Sequence, residues 1–491
     1  MQPHKPLGTT GRRCYQASDP ARFNPNRSLL FLFVPLLITL GLCGWGCSGG
    51  ISPAAKILRS PGTASDANET GTNQAAPNPT TSNSAPTAPA PAVAPANAVS
   101  LLHFGNAGFG GDDTNVLQTA LNYTAANGQT LEIPAGSYNI NPVSFPGNAN
   151  VFVDAGVTVT AQPGYGDGAT MLNIHSSNVA ITGAGAAVSV FHMRKAEYTS
   201  GEYRHCLDIE GLQNAIISNV TISGISCNDS GGDGLYLRQA SNVTVQDSTF
   251  DNNRRQGSSI TGQVNHIFYL RDHFSNTNGT APESGLDIEP NTPGDFLQDV
   301  NIDDCYTDGN AGDGLMISAW LMNSSSQPID VTVLRNHSTG NQRYGYVGIN
   351  NDPSNAPGAI LIKDSFSDQS GSYGAAGRFF AANGASLTFQ NLTVTNPHVN
   401  GPDPSYGDSA AVELVRGGGG SVPLGNVHFL NTNIAANNGK SDHYFSFHDG
   451  SNIGIVTTGN NRVQFVPGTL SGATQAPPNG LVGGVATDAA N

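Results

Sequence analysis

Residues 242–260 read NVTVQDSTFDNNRRQGSSI, and three short alternating phrases are packed into those nineteen positions. Asn242 opens an aliphatic alternation, Asp247 opens a second short run ending in Phe250, and Gly257 opens a third. Each run is too short for a helix, alternates with period two, and is closed by Asn, Asp or Gly, the residues that turn a chain between strands. The first phrase recurs as NVAI at Asn178, NAII at Asn214, NVTI at Asn219, NHIF at Asn265, DVNI at Asp299, DVTV at Asp330, NVHF at Asn426 and NIGI at Asn452. The third recurs around Gly234, Gly285, Gly314 and Gly345. Unequal spacing between those glycines argues against propeller blades. It suits a solenoid whose turns tolerate loops of any length while the strands stay in register. The expected fold is all-β, a single right-handed parallel β-helix closed at its start by a capping helix over Asp112–Gly128.

Composition agrees. The 491 residues include 60 Gly and 30 Pro, with 12% charged and 7% aromatic, unlike helical bundles and suited to turn-rich β structure. Arg22 and Arg27 precede the apolar run Leu29–Cys43, too short for a confident membrane span, and small residues follow it. Residues 1–47 are therefore expected to direct export, with Cys43 or Cys47 as a lipidation site resembling that of bacterial lipoproteins. Residues 48–100 are expected to form a disordered Pro/Ala/Asn/Thr-rich tether, 101–470 the β-helix and 471–491 a flexible tail. The expected location is the outer membrane or cell surface as a lipoprotein, or else secreted or periplasmic, with membrane contact only through the N-terminal anchor. Sixteen of the 21 basic and 35 of the 36 acidic residues follow Cys47, so that part carries −19, which excludes nucleic acid as a partner. Cys206, Cys227 and Cys305 fall in β-patterned segments and read first as small buried hydrophobes.

FGNAGFGGDDTNVLQTAL followed by LEIPAGSYNI, and further on EYRHCLDIEG, SGGDGLYL, NNRRQGSSI and NTNGTAPESGLDIEPN, resemble the pectate-lyase-like superfamily and its bacterial right-handed β-helix repeat proteins. The resemblance implies a secreted β-helix of the kind that mostly cleaves polysaccharides. Neither the GHG nor the RIK motif of polygalacturonase-type hydrolases occurs. NNDPSNAP at Asn350, the string nearest to the epimerase-type run, lacks its tyrosine and histidine.

With each glycine as position zero, Leu235, Leu237, Leu286, Ile288, Leu315 and Ile317 at +1 and +3 point inward. Positions −1, +2 and +4 then face solvent. The −1 column reads His205, Asp233, Gln256, Ser284, Asp313, Tyr344, and the +2 column Asp208, Tyr236, Ser259, Asp287, Met316, Val347. The +4 column reads Glu210, Arg238, Thr261, Glu289, Ser318, and Arg204, Arg254 and Arg255 flank the set. These columns predict a groove for a polysaccharide or oligosaccharide. Asp287 and Glu289, roughly 6–7 Å apart on one strand, with Asp313, Asp233, His205 and Arg255, form the candidate catalytic set of a glycoside hydrolase or polysaccharide lyase. Crowded carboxylates raise one another's pKa and so supply a protonated acid. Arg204, Asp208, Tyr236, Arg238, Arg254, Gln256, Trp320 and Tyr344 form the candidate substrate-binding set. Asp233, Asp287 and Asp313 are alternatively a Ca²⁺ site that would recruit an anionic glycan. Asn252, Asn253, Asn276 and Asn291 are expected to stack as turn ladders. GGDG at Gly231 reads as a tight turn before a strand, and His266 and His273 as surface or turn residues. The competing reading is a non-catalytic glycan-binding or adhesive surface protein.

Overall fold

The alternating runs become strands, and the strands stack coil upon coil. The computed structural model describes residues 92–473 apart from 352–353, 382, 405–406, 408, 416–423 and 449–461, together with 484–487. The export segment with Cys43 and Cys47, most of the tether, the phrase at Asn452 and nearly all of the tail lie outside the described residues. The chain winds as a right-handed parallel β-helix. One coil runs through Asp233–Arg238, Ala240–Gln246 and Thr249–Asp251 before Gln256–Ile260 begins the next. Eleven strands, from Val143–Ser144 through Asp233–Arg238 to Phe445–His448, form one parallel face. The other strands of each coil pair in the same way with the coils before and after them.

The inward residues make one continuous core in which Leu235, Leu237, Leu286, Ile288, Leu315 and Ile317 are all fully buried. Rings stack at equivalent positions of successive coils, as Phe250 on Phe274 with centroids 5.3 Å apart. The aligned glycines are required by a close approach. A Cβ on Gly257 would lie 2.4 Å from the carbonyl oxygen of Gly285, and one on Gly285 would lie 2.8 Å from that of Gly314. The pairing steps over these glycines, since Asp233 pairs with Gln256 and Leu235 with Ser258. The strand therefore bends at position zero, and −1 and +2 come to the same outer side.

The turns carry polar ladders of two kinds. Outside, Asn219 donates to Asn178 at 2.8 Å and Asn242 to Asn219 at 2.7 Å. Inside, Asn253, Asn310 and Asn341 are buried, and Asn310 accepts from the Thr277 N–H at 3.0 Å while donating to Asn341 at 2.8 Å. Each buried amide thus satisfies the backbone of a neighbouring coil. Asn252 and Asn276 hold turn positions with φ of 52° and 54°. Asn291 joins no ladder; its N–H donates to Asp295. At the phrase NHIF the left-handed position is occupied by His266 rather than Asn265, and His266 pairs with Asp299.

The capping helix runs Thr114–Ala126, two residues shorter at each end than the sequence suggests. Asp113 is its N-cap, but the carboxylate is drawn away to the N–H groups of Gly108 and Asn139. Leu117, Ala120, Leu121, Thr124 and Ala125 are its buried face, which covers the strands Thr130–Ile133 and Val143–Ser144. Cys206, Cys227 and Cys305 are buried free thiols.

Candidate active site

The eleven-stranded face aligns the acids as columns. Asp208 pairs with Tyr236, Tyr236 with Ser259, Ser259 with Asp287 and Asp287 with Met316. Arg238 pairs with Glu210 in the +4 column. Glu289, Asp233 and Asp313 all lie close enough to Asp287 to raise its carboxyl, with Arg255 opposing them.

The expectation that the −1 and +2 columns face solvent does not hold. Asp233, Gln256, Ser284 and Asp313 are fully buried, Asp287 is 1% exposed, and His205 and Asp208 are buried too. Part of the cover is the segment 195–204, which Gly231 and Gly232 admit against the sheet. A Cβ on Gly231 would lie 2.5 Å from the Tyr198 ring, and one on Gly232 would lie 2.4 Å from the Glu202 carbonyl. Arg204 and Arg254, expected to bind substrate, are engaged in clamping this strap. Arg204 donates from Nε to the Tyr165 carbonyl at 3.0 Å and from Nη1 to that of Ser200, and Arg254 donates to the carbonyls of Gly201 and Thr199. Glu289, Glu210, Arg238, Tyr236 and Arg255 remain partly exposed and form the open part of the groove.

Beneath it lies a directed chain of hydrogen bonds. Arg255 Nη1 lies 3.4 Å from both oxygens of Asp233 and donates to Gln256 Oε1 at 2.7 Å. Gln256 Nε2 in turn donates to Asp287 Oδ2. A guanidinium only donates, so it fixes which end of the amide faces Asp287. Asp287 Oδ2 is therefore an acceptor, and a proton on this carboxyl belongs on Oδ1, which is buried and has no hydrogen-bond partner. Burial, and then Glu289, push the Asp287 carboxyl well above the usual range, with Arg255 opposing. Burial likewise raises Glu289, again against Arg255. The pair consists of a deeply buried acid on the strand Ser284–Ile288 and a more open one just past its end, an arrangement that can hold and pass a proton.

His205 accepts the Asp233 N–H at Nδ1, at 3.0 Å, and its ring stacks on Tyr236 at 4.9 Å. In the neutral ring this occupies the lone pair, so His205 orients Asp233 and is not available as a base at that nitrogen. Tyr344, expected to bind substrate, is buried; it stacks on Tyr373, and its hydroxyl donates to Glu413 at 3.0 Å. Trp320 is 44% exposed with its ring 5.4 Å from Phe379. No group of three or more His, Cys, Asp or Glu suited to a metal occurs among the described residues, so Asp233, Asp287 and Asp313 do not form the expected Ca²⁺ cage.

Several participants escape the sequence reading. Glu202 reaches Arg255 at 3.5 Å from the strap, and His175 pairs with Asp208 at 3.1 Å. Buried Glu413 extends the +2 column, with Arg378 at 3.6 Å. Position zero is Met171 in the coil of His175 and Ala411 in that of Glu413, so the glycine signal that aligns the columns is lacking there.

Among solved structures, the A-module of mannuronan C-5 epimerase AlgE4 from Azotobacter vinelandii is similar over 77% of this chain and 96% of its own, with TM-score 0.59 and 15% identity. The likeness is one of fold, the right-handed parallel β-helix. The AlgE6 A-module of the same organism matches 77% of this chain and 100% of its own, with TM-score 0.50 and 15% identity. An exopolygalacturonase from Thermotoga maritima matches at TM-score 0.44 and 14% identity, over 70% and 89% of the two chains. No family model and no curated protein sequence matches the chain.

Proposed function

We propose that this β-helix is an exported enzyme that cleaves a polysaccharide in the groove over strands Leu207–Glu210 to Leu315–Ser318, as a glycoside hydrolase or polysaccharide lyase. The observation that carries this reading is the buried Asp287 carboxyl, whose proton the Arg255–Gln256 chain assigns to Oδ1, beside the more open Glu289. Asp287 holds the proton, and Glu289, the open carboxylate, relays it to the sugar. Arg255 tempers both charges, and Asp233 anchors Arg255. Tyr236, Arg238 and the exposed Trp320 line the path of the sugar chain. The two epimerase modules of like fold act on mannuronan, a polysaccharide, which supports the substrate class in general. Export and a lipid anchor at Cys43 or Cys47 complete the proposal. Loss of palmitate labelling on Cys43→Ala or Cys47→Ala is its check.

A glycan panel assayed for new reducing ends and for ultraviolet absorbance of unsaturated ends tests the reaction. Asp287→Asn and Glu289→Gln should each lower the rate by about 10²-fold or more, the scale of a lost general acid or base, with folding retained. Unchanged rates would remove the assignment. Burial of Asp233, Asp287 and Asp313 favours the second reading, a non-catalytic glycan-binding or adhesive surface protein, and binding without any new ends would establish it.

A further inference from the structure

From the ion pairing of the groove we infer that the substrate is an uncharged glycan and that the reaction is hydrolysis; this rests on the polysaccharide-cleaving reading above. Six arginines stand on or beside this face, and each is already engaged. Arg238 pairs with Glu210 at 3.1 Å, Arg255 with Asp233 at 3.4 Å and with Glu202 at 3.5 Å, and Arg343 with Asp313 at 3.6 Å. Arg378 faces Glu413 at 3.6 Å, while Arg204 and Arg254 hold backbone carbonyls of the strap. Arg238 Nε is buried, and the Glu210 carboxylate already balances the charge of its guanidinium.

A polyuronate places a carboxylate on every ring. To bind here, each would have to break an existing ion pair and leave an acid of the protein uncompensated, inside a chain whose part after Cys47 carries −19. Hydroxyl groups meet no such obstacle. The partly exposed Glu210 and Glu289 accept from them, and the exposed face of Trp320 takes the apolar side of a pyranose ring. An uncharged sugar has no carboxyl group beside C5 to acidify the hydrogen there, so elimination has no starting point. Hydrolysis remains: the C1–O bond breaks, Asp287 passes its Oδ1 proton through the open Glu289 to the departing oxygen, and water adds at C1. The water's second proton goes to Glu289, from which Asp287 is recharged.

The test is affinity electrophoresis of the full chain in gels carrying uncharged glycans (glucan, mannan, xylan, galactan) or polyuronates (polygalacturonate, polymannuronate), at low and high salt. Retardation by an uncharged glycan, insensitive to salt, is expected. Preference for a polyuronate, lost in salt, would overturn the inference while leaving the polysaccharide reading intact. Retention by neither class, with no cleavage, would overturn both. Glu210→Gln supplies the complementary arm. It releases the Arg238 guanidinium, and polyuronate affinity should rise about tenfold, the worth of one charge-assisted bond of roughly 1.4 kcal/mol. No gain on releasing Arg238 would mean that pairing is not what excludes anions.

Discussion

Asp287 shows how a single side chain on a parallel sheet acquires a chemistry that its residue type does not announce. A free aspartate is ionised at neutral pH, but here burial, with Glu289 next in size, favours the protonated form. The sign of the linkage follows. A carboxyl whose folded pKa lies above its unfolded one contributes stability that is full below the unfolded value and is lost as pH rises through the folded value. Asp287→Asn imitates the protonated acid, keeps the acceptor that Gln256 needs, and has nothing to ionise. The variant should match the parent in thermal stability near pH 4 and exceed it progressively toward neutral pH. Melting curves at half-unit steps of pH check this, and parallel curves would show that the carboxyl titrates as it does in the unfolded chain. The columns containing Asp233, Asp287 and Glu289 were legible in the sequence because a glycine marks position zero in each of those coils. Their burial was not. It depends on a strap whose arginine clamp, Arg254, reaches carbonyls more than fifty residues away, and no local pattern encodes that contact.

Among the elements, the interior asparagine ladder settles how strongly one coil is tied to the next. Asn310 accepts the Thr277 N–H, donates to the Phe274 carbonyl at 3.2 Å and to Asn341 at 2.8 Å, and is fully buried. Removing the amide leaves a buried N–H and carbonyl without these partners, each an uncompensated desolvation. Asn310→Ala should cost about 2–4 kcal/mol by that principle, read as a lower urea midpoint, whereas Asn178→Gly, which keeps the left-handed turn of the exposed ladder (φ 61°), should cost about 1 kcal/mol or less. Equal effects would mean that the inner ladder adds no more than the outer one. Alternation and turn residues made the strands readable from the sequence alone. The distinction between adjacent asparagines was not readable: Asn252 turns the chain and Asn253 enters the core, because the outcome depends on which side of the bend each Cβ leaves.

A solenoid is held by nearest-neighbour interfaces, so for the molecule as a whole its ends matter more than its middle. The first coil would expose its core, and Val143–Ser144 an unpaired sheet edge, if the helix Thr114–Ala126 did not lie across it; the edge of Thr130–Ile133 is already paired with Val99–Ser100. Leu121, fully buried, belongs to that cover, and Leu237, equally buried, lies in the interior of the stack. Truncating either to alanine removes the same atoms, at about 2–5 kcal/mol. The consequences differ because only one of them opens an edge. Leu121→Ala should unfold at lower denaturant and also scatter light in proportion to protein concentration, as exposed parallel edges pair between molecules. Leu237→Ala should lose stability while staying monodisperse below its transition. Urea melts beside static light scattering separate the two. Equal aggregation of both variants would show that the exposed core, rather than the uncapped edge, drives association, and the helix would then be one more packed element rather than the lid that keeps successive coils from continuing into a second molecule.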